Sequence, residues 1–392
     1  MMSVLVLISA RFPKGSAITS RILNFCRLLR DSGFKVHVIA TRSKGEEKVG
    51  QSYIIENISY EIVSQEAGHK IETIIGTPGY VKKVENFINE NRPDCVFMVS
   101  MPAMFRKVVG ILEKNNVPCF VEQCEWMDLS SYRLRRIDPR YLFAEYIRRW
   151  GARHVTGIIS ISRFLDNYFN ALGVPSIRIP TILDVQNTFF QAETKHADGK
   201  IHIVFAGRLG GTKELMAPII ESLVENEDFR KNIQFDVYGP NKKQVVKNLG
   251  GKESLLDSAG SSVVIPGRIS QDKVPEVYAN SDYLIFVRPQ RRSSDAGFPT
   301  KFAESMAVGT PVITNNTGDI GLYLQDGVNG FLLSDNTKEA VSECFEKLLA
   351  ISKEKCLQMR LSARKTAEES FDYRVYVEKV SSFFAKNIEE KA

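Results

Sequence analysis

RPQRRSSDAGFPTKFAESMAVGTPVITNNTGDI, residues Arg288 to Ile320, is the stretch whose reading decides the fold. It follows an apolar run, Tyr283–Val287, that reads as a buried strand. A loop rich in Ser, Asp, Gly and Pro then leads into a helix expected from about Pro299 to Val308. Pro299 suits the first helical position, where its missing N–H costs nothing and its φ is preset. Gly309 ends that helix, and Pro311–Thr314 begins another apolar strand. At 100° per residue, Phe302, Ala303, Met306 and Ala307 share the core side, while Thr300, Lys301, Glu304 and Val308 face the loop. A strand–loop–helix–strand unit therefore presents a helix N-terminus beside a hydroxyl, an ammonium and a carboxylate. Unpaired N–H groups and the helix dipole make such a terminus an anion site.

The same alternation runs through the chain. Ser3–Ser9 and Lys35–Ala40 are apolar strands around an amphipathic helix that ends near Gly33. Strands at Cys95–Val99, Pro118–Glu122, Gly157–Ser160 and Ile177–Ile182 follow, separated by helical patterns. The polar, aperiodic residues 185–200 read as a linker, after which the pattern restarts at Ile201–Ala206. Strands alternating with helices call for parallel sheets, so the fold class is α/β with two Rossmann-like doubly wound domains. The expected division is 1–184 for the first domain and 201–371 for the second, with a terminal helix about 372–392 whose apolar side carries Val375, Val380, Phe383 and Phe384. In sheets of this kind ligands bind at the carboxyl ends of the strands, and a cleft between the domains is the default site.

Composition narrows the classes. For 392 residues, two domains of roughly 180 are the natural expectation. The net charge of +6 is mild and suits an anionic ligand or surface. Cys26, Cys95, Cys119, Cys124, Cys344 and Cys356 form no CxxC pair, so they read as free thiols in a reducing, cytoplasmic setting. Five histidines without ligand spacing argue against a protein-built metal site. The opening MMSVLVLIS reads as a strand, not a leader, and no apolar run reaches ~20 residues. Residues 132–153 combine aromatic and apolar side chains with several arginines. They read either as peripheral contact with an anionic membrane or as a core-facing helix with solvated arginines. No recognition motif for nucleic acid accompanies these cations.

The sharpest chemical feature beyond the opening stretch is VFAGRLGGTKE, where Arg208 and Lys213 flank a Gly-rich turn after a strand. An arginine fork and a lysine point charge suit a departing diphosphate, and fixed cations aimed at developing charge are a strong source of catalysis. Together with Gly15 in the first strand–helix loop, DVYGP (Asp236–Pro240), VIPGRIS (Val264–Ser270), KFAESMAVGTPVI and GDIGLYLQDGVNGFLL, this run resembles the retaining GT-B glycosyltransferases of family 4. The resemblance covers essentially the whole chain and is strongest from Ile201 to Leu333.

That resemblance implies sugar transfer, with retention, from an NDP-sugar donor to a hydroxyl acceptor such as a glycan or a lipid-linked or polysaccharide precursor. No cofactor or metal is expected, since side-chain cations and the helix dipole after Gly297 do that task. Arg208 and Lys213 match the family's diphosphate-binding pair, and Glu304 matches the glutamate that accepts from the ribose hydroxyls. The partner glutamate of that motif falls on Ala296, with Asp295 one residue earlier, so either Asp295 substitutes through a shifted loop or sugar recognition differs. Gly207, Gly239, Gly297 and Thr300 belong to the donor-binding motifs, and Lys301 offers charge where Pro299 removes an N–H. Arg268 either stacks on the base or is a surface cation. Gly15 lets its loop approach the diphosphate, and Arg11 and Lys14 beside it are phosphate contacts or a solvated basic loop. Glu122 and Glu125 take the place of the family's histidine near the reacting sugar, as groups that position the acceptor hydroxyl or accept its proton, or else as capping and surface carboxylates. His37 and His154 read as structural. An NDP-sugar epimerase of the same fold and a catalytically silent sugar-nucleotide-binding subunit are the alternatives.

Overall fold

The computed structural model describes residues 2–13, 15, 17–43, 45–64, 76–99, 103–190, 196, 198–209 and 213–391. The chain divides into two compact units, Met1–Leu183 with Tyr373–Ala392, and Asp184–Asp372.

The first unit is built on an eight-stranded sheet in the order β3-β4-β2-β1-β5-β6-β7-β8. The strands are β1 Ser3–Arg11, β2 Lys35–Arg42, β3 Ser52–Ile55, β4 Ile58–Ile62, β5 Cys95–Val99, β6 Cys119–Gln123, β7 Gly157–Ser160 and β8 Ser176–Arg178. All neighbours pair in parallel except β3 with β4. Side chains alternate across a strand, and here both faces are covered. Val4, Val6 and Ile8 pack with the helix Ala17–Asp31 and the terminal helix, while Leu5 and Leu7 pack with the helices Tyr80–Asn91 and Phe105–Lys114. This is why β1 reads as an unbroken apolar run.

The terminal helix Val377–Glu389 is fastened to this unit by the Phe384 ring stacked 3.9 Å from Phe120 and by Tyr373 Oη donating to Asp31 at 3.0 Å. Its expected apolar side is corrected at one position. Residues Tyr373–Tyr376 form a 3-10 turn, so Val375 leaves the helical register and is exposed.

The second unit carries a six-stranded parallel sheet, β11-β10-β9-β12-β13-β14. Its strands are β9 Ile201–Ala206, β10 Ile233–Tyr238, β11 Val263–Gly267, β12 Tyr283–Ile285, β13 Val312–Asn315 and β14 Gly330–Leu333. Strand order reverses about β9, as in a doubly wound dinucleotide-type sheet, and puts the switch point between β9 and β12. Of the expected linker, residues 191–195 and 197 lie outside the described residues. Its first part is packed on the second unit, because Arg364 donates to the carbonyls of Val185 and Thr188.

Candidate functional site

The carboxyl edge of the second sheet is lined by glycines for a steric reason. Gly207, Gly239 and Gly267 follow or end β9, β10 and β11 with φ of 151°, 106° and 83°. The Gly207 N–H donates to Tyr238 O at 3.1 Å, and the Gly239 N–H donates to Gly267 O at 2.7 Å. A Cβ on Gly239 would overlap the Gly207 carbonyl oxygen. The loops therefore lie backbone against backbone; Gly239 has no room for a Cβ, and the positive φ at Gly207 and Gly267 favours glycine there.

The helix expected over Pro299–Val308 spans Thr300–Ala307. Two details of the expectation are corrected. Pro299 is the capping residue, at φ −72° and ψ 115°, and not the first helical residue. Val308 is buried and not on the loop side, because the backbone leaves the helix there (φ −94°, ψ 6°) and turns the side chain into the core. The loop before it also contains a helical turn, Arg292–Ala296. Phe302, Ala303, Met306 and Ala307 are buried. Beneath the helix start, Phe298 packs at 5.5 Å from Phe302, 5.5 Å from Tyr323 and 5.6 Å from Phe371. This aromatic support fixes where the first-turn N–H groups point; Pro299 offers them no side-chain cap, and the Phe302 N–H donates to Pro299 O at 3.0 Å.

Lys301 does not project from that start. It is buried, with Nζ 3.2 Å from Glu214 Oε1, 3.9 Å from the centre of the Phe205 ring, and 3.2 Å from where a Cβ on Gly207 would stand. Burial lowers its pKa, and Glu214 opposes that by attraction and by its hydrogen bond. The contacts tie three segments together: Gly207 precedes Arg208, Glu214 follows Lys213, and both meet Lys301 one residue after Thr300. Arg208 is exposed and Lys213 half-buried; residues 210–212 of the turn between them lie outside the described residues. Glu304 is half-buried one turn along the helix. Burial pushes its carboxyl up to about 7, and Lys301 pulls the other way.

Asp295 is engaged. Its Oδ1 accepts from the Gly318 N–H at 3.0 Å, and Gly318 approaches so closely that a Cβ would stand 2.9 Å from Ser294 O. Ala296 is buried. Arg268 is exposed just beyond β11, and Gly297 is extended at φ −104° and ψ 167°.

In the first unit Gly15 faces Thr19 and Arg11, and Lys14 lies outside the described residues. Glu122 is buried near the end of β6 and is held by Arg21 Nε at 2.5 Å, while Arg21 also donates to Pro180 O at 2.8 Å. Glu125 is exposed, and its carbonyl accepts from Arg148. His37 lies between Ser59 and Glu61, and His154 bonds Glu113 at 2.7 Å. In the basic segment the helix is Pro139–Arg149, and Arg148 is its one buried residue. Leu134, Ile137 and Leu142 are exposed among exposed arginines. Among the described residues no group of three or more His, Cys, Asp or Glu is placed to hold a metal ion, and no helix is long and apolar enough to cross a membrane.

Two residues of this edge escaped the sequence reading. Glu214 stands in the run containing Arg208 and Lys213, but its partner Lys301 is 87 residues away. Arg288 opens the deciding stretch and is buried, with Nε 4.0 Å from Glu214 Oε1.

Two family models match the chain: residues 186–366 match "Glycosyl transferases group 1" and residues 18–185 match "Glycosyltransferase Family 4". The chain is a GT-B glycosyltransferase. A search of curated proteins by sequence gives no match. Among solved structures, sucrose-phosphate synthase from Thermosynechococcus elongatus is similar with a TM-score of 0.76 at 10% identity, over 100% of both chains. HepE from Anabaena, solved with UDP-glucose, has a TM-score of 0.70 at 14% identity, over 98% of this chain and 100% of that one. WaaG, a glycosyltransferase of lipopolysaccharide biosynthesis, has a TM-score of 0.64 at 16% identity, over 97% and 98%. At such identities the likeness is one of fold, and this GT-B glycosyltransferase shares it from end to end.

Proposed function

We propose that the enzyme transfers a sugar, with retention of configuration, from an NDP-sugar held on the second unit to a hydroxyl of a glycan or lipid-linked acceptor. The observation that carries this reading is the meeting of the Arg208–Glu214 loop with the Thr300–Ala307 helix start at the glycine-lined carboxyl edge. In this reading Arg208 and Lys213 neutralise the diphosphate as the glycosidic bond breaks, which is when its charge grows. The first turn of the helix adds its N–H groups at Thr300 and Lys301, and its dipole, to the same oxygens. Glu304, an acceptor with two oxygens, holds vicinal ribose hydroxyls. These fixed charges take the load a divalent ion would otherwise carry. Glu125, exposed beyond β6, is the carboxylate assigned to the acceptor hydroxyl in this reading, while Glu122 bonds Arg21.

The test is a thermal-shift panel of nucleoside diphosphates and their sugars, because a ligand that binds only the folded state raises its stability. Turnover of the best donor follows. Arg208→Ala and Lys213→Ala should each lower kcat by about 10²–10³-fold without moving the unfolding midpoint. Failure of every nucleoside diphosphate to shift the midpoint would overturn the reading. Binding without any turnover would favour a silent sugar-nucleotide-binding subunit, the reading that buried Ala296 supports.

The exposed Leu134, Ile137 and Leu142 beside Arg133, Arg135, Arg136 and Arg140 support contact with an anionic membrane face, where a lipid-linked acceptor would be met.

A further inference from the structure

We propose that Arg288 is a donor-binding residue that, paired with Lys301 across Glu214, receives an oxyanion of the sugar nucleotide. The inference rests on the proposed function and adds a cation that no motif assigns.

Arg288 leaves the apolar run of β12 at the carboxyl edge of the sheet, and its backbone is clamped there. Its N–H donates to Asn315 Oδ1 at 2.9 Å, and its carbonyl accepts from Asn315 Nδ2 at 2.8 Å. The guanidinium is buried, yet neither Nε nor Nη1 has a hydrogen-bond partner among the described residues. Its approach to Glu214 Oε1, at 4.0 Å, is too long for a hydrogen bond. That same oxygen is taken by Lys301 at 3.2 Å, while Glu214 Oε2 is also without a hydrogen-bond partner among the described residues. Two fixed cations thus share one carboxylate oxygen, and the fork of the arginine is left unfilled.

Buried donors are nearly always satisfied, and a buried charge without full pairing is costly. A guanidinium fork is matched by the paired oxygens of a phosphate or carboxylate. The cluster lies directly against Gly207, whose missing Cβ leaves room for Lys301, and it is continuous with Arg208 and Lys213 along the same loop. An anion arriving at that loop would supply the missing acceptors. The oxygens are those of the diphosphate or of a carboxylate on the transferred sugar. Glu214 is the positioning residue that keeps both cations facing one point.

The experiment titrates UDP, ADP and GDP, with their hexose and hexuronate conjugates, into the wild-type protein and into Arg288→Gln and Arg288→Lys, by calorimetry at two salt concentrations. The expected result is a tenfold or greater loss of affinity in Arg288→Gln and a shallower salt dependence. The ligand-free unfolding midpoint should be unchanged or raised, because a poorly paired buried cation has gone. Arg288→Lys keeps the charge without the fork and should fall between. Equal losses for diphosphates and hexuronates assign the oxyanion to phosphate; a loss confined to hexuronates assigns it to the sugar. Wild-type affinity in Arg288→Gln with a lowered midpoint would make Arg288 structural and overturn the proposal, as would loss of folding in both variants. If the wild-type protein binds none of the diphosphates, the functional reading falls as well.

Discussion

Each unit buries an arginine against a glutamate at the edge where its parallel strands end, and the two pairs are finished differently. In the first unit Arg21 bonds Glu122 at 2.5 Å and spends its remaining donors on the carbonyls of Pro180 and Ile179. Burial works against the Arg21 charge, but Glu122 and Cys124 together outweigh it and raise its pKa. In the second unit Arg288 is as deeply buried but leaves Nε and Nη1 open, with Glu214 divided between it and Lys301. A completed pair ties the helix Ala17–Asp31 to β6 and to the segment after β8. An incomplete one sacrifices stability for the readiness to take a charged group. Satisfaction of donors, not burial, separates a brace from a binding site.

The contrast can be broken most directly at Glu122. Glu122→Gln strands the Arg21 charge and should cost about 3–5 kcal/mol, read by urea unfolding. A loss of turnover with unfolding unchanged would instead give Glu122 a catalytic part. Glu214→Gln sharpens the comparison, because it leaves two buried cations without their shared oxygen and should cost about 3 kcal/mol. Arg288→Gln, in the same cluster, should by contrast leave stability unchanged or raise it. A stabilised Glu214→Gln would show that the cations do not crowd each other.

Glu304 gives a smaller, pH-linked effect. Its folded pKa, about 7, lies above the ordinary 4.5, so the folded chain binds the proton more tightly than the unfolded one. Its stabilising contribution is complete below 4.5 and is lost as the pH rises through 7, on the order of 2–3 kcal/mol at most. Glu304→Gln should flatten this part of the stability profile in chemical denaturation at pH 5 and pH 8. An unchanged slope would place the titration elsewhere. The smallest effect on stability is expected at the exposed apolar residues. Leu134→Ser with Ile137→Ser should move the unfolding free energy by less than about 0.5 kcal/mol. The same double variant should lower co-sedimentation with anionic vesicles, and unchanged sedimentation would remove the membrane contact.

Much of the second unit was legible because its strands are short apolar runs punctuated by glycine. The helix start at Thr300 was found within one residue, since Pro299 and Gly309 bracket it. The antiparallel pair β3–β4 gave no such signal. Its tight turn is made by Glu56 and Asn57 at φ 50° and 63°, and no glycine marks it. A helical wheel places Lys301 off the core face, on the side expected to meet a ligand. The wheel cannot register that a carboxylate 87 residues away waits on that side.

The sequence by itself determined the alternation of strands and helices, the glycine-bounded loops at the sheet edge and the motifs shared with sugar transferases, because all are local patterns of apolar period and backbone freedom. Only the tertiary structure decided which charges are paired. Arg21 with Glu122 and Lys301 with Glu214 lie 101 and 87 residues apart, and the cost of a buried charge depends on the atoms around it, which no one-dimensional pattern carries.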